Sequence, residues 1–140
     1  MNHHPLRYGS PRAVCLALLL VLTACATTDV REHPVAERAQ ARWDALVAGD
    51  QNGAYGYLSP AYRSSVSSLQ YQRNLVLQKV HWTGARYIDS ECSENSCKVR
   101  ISLDFSLMGA LPGVRRYDGT QEIEEKWVQS EGQWWYVPEN

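Results

Sequence analysis

The chain has 140 residues, 44% of them hydrophobic and 21% charged, with a formal net charge of −1. That length suits one ordinary domain with a single core. The near-balance of 14 basic and 15 acidic side chains, with no basic patch, points away from nucleic acid as a partner, and no polybasic stretch suits a membrane surface.

The first element is a leader. Arg7 and Arg12 precede an apolar run from Ala13 to Leu22, and small residues come next. This is the pattern of a secretory signal peptide. The run is about half the roughly 20 residues that a membrane-spanning helix needs. Leu22-Thr23-Ala24-Cys25 then resembles the bacterial lipobox, in which the cysteine is diacylated and becomes the mature N-terminus. The resemblance covers residues 1–25. It implies a signal peptide over 1–24 and a lipid anchor at Cys25, through which the chain meets the membrane. Several acyl chains, at about 0.8 kcal/mol per buried CH₂, make such an anchor effectively permanent. Ala26, where the enteric sorting rule places aspartate for inner-membrane retention, favours the outer membrane facing the periplasm. Removal of the leader takes two basic residues and no acidic ones, so the mature chain is the more negative.

Cys15 leaves with the leader and Cys25 is used for lipid. Cys92 and Cys97 remain, with four residues between them, in an exported chain, and read as a disulfide across a hairpin turn. A redox motif would have two residues between them. A zinc site would need more ligands than the two mature histidines, His33 and His81, add. The expectation is therefore no metal and no cofactor.

Residues 25–33 form the lipidated cysteine and a short tether, and the domain runs over 34–140. Pro34 suits a first helical turn, and Val35, Ala39, Trp43, Leu46 and Val47 recur at helical spacing up to Gly49. Glu37, Arg38, Arg42 and Asp44 fall largely between them. Asp50 caps a short second helix with Ala54, Tyr55 and Leu58. Ser59-Pro60 starts a third, and Ser67 or Ser68 starts a fourth carrying Leu69, Tyr71 and Leu75.

The period then changes. Val80, Trp82 and Ile88 share one strand parity, and His81, Thr83, Ala85 and Tyr87 the other. Val99, Ile101, Leu103, Phe105 and Leu107 alternate with Lys98, Arg100, Ser102, Asp104 and Ser106, so one face is buried and one wet. Asp104 is expected on the wet face, paired with Arg100 or Lys98. The glycine-containing stretch 109–119 reads as a loop, Thr120 to Gln129 as a third strand and Trp134 to Val137 as a fourth. Helices followed by an antiparallel meander indicate an α+β fold, with N-terminal helices packed on one face of a curved sheet.

At Ala45-Leu46-Val47-Ala48-Gly49-Asp50, Ala54-Tyr55 and Leu58-Ser59-Pro60-Ala61-Tyr62-Arg63, the chain resembles the helical half of the nuclear-transport-factor-2-like (NTF2-like) superfamily. Lys126-Trp127-Val128 and Glu131-Gly132-Gln133-Trp134-Trp135-Tyr136-Val137 are similar to its last hairpin. The resemblance spans nearly all of residues 34–138. It implies a cone-like α+β fold with a pocket, and no single function, because members include isomerases, dehydratases and non-enzymatic binding domains.

The candidate chemistry is sparse. Glu125 shares strand parity with Ile123 and Trp127, so it either points inward as a base of raised pKa or, by a register shift in the acidic run 122–125, lies in water. The second reading is the stronger. His81 is either a general base or a rim residue beside Trp82. The surplus is aromatic: five tryptophans and eight tyrosines. Trp134 and Trp135 have opposite parity, so one of them, with Trp82, is expected to line a pocket or an open sheet face for a ligand or partner. The alternative is shielding by long Arg and Lys side chains. The function expected is a membrane-anchored envelope lipoprotein with a non-catalytic binding or accessory domain. Its partner is a small apolar ligand or an envelope protein, and a homodimer is a further possibility for such a surface. The runner-up is a small pocket enzyme of the isomerase or dehydratase type, and a purely structural role ranks third.

Overall fold

The computed structural model describes residues 33–139. The leader, Cys25 and most of the tether lie outside the described residues. Four helices, α1 (Pro34–Val47), α2 (Gln51–Tyr55), α3 (Pro60–Ser65) and α4 (Ser68–Leu77), precede four strands, β1 (Val80–Ser93), β2 (Ser96–Leu111), β3 (Val114–Ser130) and β4 (Gln133–Val137). The strands form one antiparallel sheet in the order β1-β2-β3-β4, so the class is α+β as the periodicity requires.

The helix starts obey capping chemistry. Asp50, Ser59 and Ser67 each accept a backbone N–H of the first turn, from Gly53, Tyr62 and Gln70. Just past the end of α1, Gly49 stands at φ +78°, a conformation that glycine enters without a Cβ penalty. α1 lays Val35, Ala39, Trp43 and Leu46 against Val99, Ile101 and Leu103 of β2 and Trp127 of β3, which form the core. Of α4, by contrast, Tyr71 alone is buried.

Three details differ from the sequence reading. First, residues 109–119 are not a loop. β2 continues to Leu111 and β3 begins at Val114, so the two strands form a hairpin arm beyond the end of β1, which stops opposite Leu107. Met108, Val114 and Tyr117 are exposed on that arm. The glycines do not break it: the turn takes Gly113 at φ +78°, and Gly119 sits opposite Phe105 within the ladder. Second, β1 carries register shifts between Trp82 and Gly84 and between Tyr87 and Asp89. A bulge of one residue flips the parity of every residue beyond it. Trp82, Ala85 and Tyr87 therefore pack on the core together, although strict alternation separates Trp82 from the other two. Third, Asp104 is exposed but accepts from the hydroxyl of Thr120 at 2.6 Å. Arg100 pairs instead with Asp89 and Glu122, and Lys98 with Glu124 at 3.2 Å. Those acids lie on neighbouring strands, facing each base across the wet side.

Cys92 and Cys97 are direct partners in the β1–β2 ladder and form a disulfide. On the chain-entropy model, so small a ring stabilises by about 2 kcal/mol.

Both edges of the sheet are covered by groups outside it. At β4, Ser59 N–H donates to the Tyr136 carbonyl at 2.8 Å and Tyr136 N–H to the Tyr57 carbonyl at 2.9 Å. At β1, the side-chain amide of Gln40 substitutes for a neighbouring strand. Its nitrogen donates to the Ala85 carbonyl at 3.0 Å, and its oxygen accepts from Tyr87 N–H at 2.7 Å. Gln40→Ala leaves both backbone groups without that partner, and we expect a loss of about 1–2 kcal/mol. A urea midpoint unchanged from wild type would show that water replaces the amide at no cost. Faster hydrogen exchange at Tyr87 is the local signature.

Candidate functional site

Arg42 is the residue that organises the interior. It lies on the apolar stripe of α1, seven residues after Val35, three after Ala39 and four before Leu46. Its side chain is therefore carried into the core, and Arg42 is 4% exposed. Facing it is Glu125 of β3, which stands on the inward side with Ile123 and Trp127 and is 2% exposed. No register shift occurs there, so the expectation that Glu125 turns to water is corrected: strand parity holds, and the carboxylate is inside. Three donors make this possible. Arg42 Nη1 donates to Glu125 Oε1 at 2.6 Å, Trp43 Nε1 to the same oxygen at 2.9 Å, and Trp127 Nε1 to Oε2 at 3.0 Å. A buried charge pair is tolerated only when hydrogen bonds satisfy its remaining capacity in this way.

The guanidinium also lies 3.9 Å from the Tyr136 ring centroid and 5.1 Å from that of Trp43. Burial opposes its charge, but Glu125, with Tyr71 and Tyr136, more than offsets this and holds Arg42 above its ordinary value. Arg42 Nε and the Tyr71 hydroxyl are both buried and without hydrogen-bond partners among the described residues. Burial raises the Tyr71 phenol, and pushes that of Tyr136 up to about 12.

Above this pair is a cavity of about 260 Å³. Arg42, Tyr71 and Tyr136 line it, with Tyr62 from α3, Asn74 and Leu75 from α4, Gln78 at the C-cap of α4, and Pro138 and Glu139 after β4. Residues 71, 74, 75 and 78 recur at helical spacing, so one face of α4 supplies much of one wall. Among the described residues, the lining contains no Cys, Ser, Thr, Lys or His. Arg42 is the one member of the charge pair that reaches this lining. The arrangement offers polar groups and flat aromatic faces to a bound group.

The tyrosines give the site a pH signature. A phenol that stays neutral in the folded state at a pH where the unfolded chain ionises destabilises the fold there. Unfolded tyrosine titrates near pH 10. The contribution of Tyr136 is thus fully present below about pH 10 and is lost as pH rises towards 12. Urea midpoints measured across that interval should fall, and Tyr136→Phe should make the fall shallower. Equal slopes would place the phenol in solvent.

The sequence-level candidates are not gathered in one place. His81 is exposed at the start of β1, opposite Ser106. With Trp82, Leu46, Leu75 and Val76 it lines a different cavity, of about 210 Å³. Trp82 packs edge-on against Trp43 at 5.3 Å. Trp134 is buried in the core and meets His33 edge-on at 5.1 Å. Trp135, of opposite parity, is half-buried, with Arg38 and Arg63 at 5.3 and 5.1 Å from its ring centroid. Long basic side chains shield it, the alternative arrangement for these aromatics. His33 lies with Cys92 and Cys97, their ligand atoms all within 4.8 Å, but the two sulfurs are bonded to each other. Sequence reasoning does not single out Arg42, Tyr62, Tyr71 or Tyr136 as site residues. The signal is present for one of them: Arg42 falls on the apolar face of α1, where a cation requires an inward acid, and the strand parity of Glu125 supplies one.

No protein-family model matches the chain, and no curated protein matches it. Solved structures do. The solution structure of a SEC-C motif containing protein from Rhodopseudomonas palustris superposes with a TM-score of 0.56 at 12% identity, covering 72% of this chain and 73% of that one. The crystal structure of a putative NTF2-like transpeptidase from Campylobacter jejuni gives a TM-score of 0.50 at 12% identity, covering 76% of this chain and all of that one. At such identity the likeness concerns the fold alone. It supports an α+β, NTF2-like architecture for residues 33–139.

Proposed function

We propose that this protein is a bacterial envelope lipoprotein, anchored through diacylated Cys25 to the outer membrane and facing the periplasm, whose NTF2-like domain binds a small ligand without transforming it. The observation that carries the binding role is the cavity lined by Tyr62, Tyr71 and Tyr136 with Arg42, in which no Cys, Ser, Thr, Lys or His is found among the described residues. Aromatic walls supply contact area, and a few placed polar groups supply orientation, as small-molecule sites do. A transpeptidase activity, named for the Campylobacter jejuni neighbour, needs a nucleophile such as Cys or Ser, and this lining has neither. An isomerase or dehydratase needs a free base set among apolar groups; the Glu125 oxygens are taken up by three N–H donors, and the other carboxylate of the lining, Glu139, is exposed at the rim.

Two measurements test the reading. Mass spectrometry of the mature protein should find a diacylated Cys25, and Cys25→Ser should release the protein from the membrane fraction. A soluble product beginning elsewhere removes the anchor. Thermal melting of the detergent-solubilised protein against a small-molecule library should give stabilising compounds whose effect is lost in Tyr136→Phe or Tyr71→Phe. Compounds that stabilise the variants equally well would move the site away from this cavity.

A further inference from the structure

The outer edge of β4 carries two arginines that no acidic side chain pairs among the described residues. Resting on the lipid-anchored reading proposed above, we infer that Arg38, Arg63, Tyr57 and Trp135 form a docking patch for the phosphate headgroups of an anionic bilayer, the membrane that holds Cys25.

Three elements bring the patch together. The Arg38 guanidinium, from α1, lies 4.9 Å from the Tyr57 ring centroid and 5.3 Å from that of Trp135. The Arg63 guanidinium, from α3, lies 5.1 Å from the same indole. Arg38 Nε donates to the Trp134 carbonyl at 2.7 Å, and the Tyr57 carbonyl accepts from Tyr136 N–H, so the group follows β4 on the side away from β3. Neutral groups hold Arg38 there. The Gln133 side-chain oxygen, in the orientation its donors require, accepts from Nη1 and Nη2 at 2.6 and 3.0 Å. Arg42, Lys98, Arg100 and Arg116 all have carboxylate partners, whereas Arg38 and Arg63 have none among the described residues. Burial lowers Arg38 from its ordinary value, and the Tyr57 phenol, not a carboxylate, opposes the fall. Arg63 Nε is covered and has no hydrogen-bond partner among the described residues. All four side chains are half-buried, so each keeps a part open to solvent. A cation partly out of water without a counter-ion is costly, and an incoming anion relieves that cost.

Reach and chemistry together select a bilayer as that anion. His33 packs edge-on against Trp134 at 5.1 Å, so the chain enters the domain beside the patch. His33 follows Cys25 by eight positions, a stretch that spans about 27 Å at most. An anchored domain therefore keeps this corner within a tether's length of the headgroups, and confinement lets a weak contact form. Planar guanidinium groups match phosphate oxygens. Tryptophan and tyrosine rings beside them are the side chains that settle at headgroup level, with an apolar body and a polar tip. The rest of the domain favours one orientation, because the mature chain carries more acid than base and an anionic surface repels its other faces. No basic run in the sequence marks the patch, since positions 38, 57, 63 and 135 meet only in the fold.

The test uses the mature chain with Cys25→Ser. It carries no acyl group, so its partition reports on the patch alone and is independent of the diacyl mass expected at Cys25. At low salt, sedimentation with phosphatidylcholine vesicles containing phosphatidylglycerol should show about tenfold stronger partition than with phosphatidylcholine alone. Added salt should remove the difference. Arg63→Gln should weaken partition about fivefold. Arg38→Gln should act alike, with its urea midpoint reporting separately on the lost bond to Trp134. Arg115→Gln makes the same charge change on the exposed β2–β3 arm and should leave partition unchanged. Equal partition on both vesicles, or an equal loss in Arg115→Gln and Arg63→Gln, would overturn the patch while leaving the lipid anchor intact. Free glycerol phosphate that shifts the Trp135 indole resonance at micromolar concentration would replace the bilayer with a soluble phosphate ester. A glutamate-rich peptide bound at the patch more tightly than the vesicles would replace it with a protein partner.

Discussion

Replacing Glu125 by alanine is expected to cost about 3–5 kcal/mol, the range for removing one partner of a buried ion pair. Arg42 would be left charged in the interior, and the indole N–H groups of Trp43 and Trp127 would lose their acceptor together with it. Each orphaned donor adds about 1–3 kcal/mol if no water reaches it. A domain of this size is stable by roughly 5–15 kcal/mol, so the variant sits near the edge of folding. Glu125→Gln should cost less, because a carbonyl oxygen still accepts from one or two of the donors. The double variant Arg42→Met with Glu125→Leu removes both charges. It should recover part of the loss, though not the share belonging to the two indoles. Urea unfolding of the three variants checks the order. If Glu125→Ala unfolds within about 0.5 kcal/mol of wild type, the pair is not buried as described. Near-normal stability combined with loss of ligand binding would assign Glu125 to ligand contact instead.

Trp127→Ala is expected to be as severe, at about 3–5 kcal/mol. The ring is fully buried, packs at 5.8 Å from Tyr136 and donates to Glu125 Oε2. Two effects are combined there, and Trp127→Phe separates them. Phenylalanine keeps most of the apolar volume but removes the N–H. It should therefore cost about 1–3 kcal/mol, from the lost hydrogen bond to a charged group and a small void. A Phe variant as damaged as the Ala variant would mean that the hydrogen bond dominates. A neutral one would mean that Glu125 is satisfied without it. The measurement is again the urea midpoint at constant m-value.

Both predictions depend on Arg42 facing Glu125, and each residue is half visible in the sequence. A helical wheel of α1 puts Arg42 with Val35, Ala39 and Leu46, and a strand read of β3 puts Glu125 with Ile123 and Trp127. Each alone resembles a flaw in a pattern, an error to be moved to the surface. Their reach across 83 residues of sequence is what turns the two flaws into one interaction. The tyrosines are less legible. Tyr62, Tyr71 and Tyr136 belong to three separate elements, and nothing local distinguishes them from Tyr55 or Tyr87. The tryptophans mislead for a related reason: exposure depends on which long side chains lie over a ring, and Arg38 and Arg63 come from helices remote in sequence from Trp135.

The sequence alone determined what local chemistry governs. Capping residues and proline placed the four helices, and period two placed β2 and its buried face. Direct pairing of Cys92 with Cys97 came from their spacing. Tertiary structure decided everything that depends on a shift of register or on a distant partner. The bulge at Thr83 brought Trp82 to the same face as Ala85 and Tyr87, and strand pairing carried the glycine-rich stretch into the arm. The Arg42–Glu125 pair with its cavity arose where α1, α4 and the end of β4 meet over β3. Backbone propensity acts over a few residues, whereas burial of a charge is settled only when the whole fold has fixed what lies opposite it.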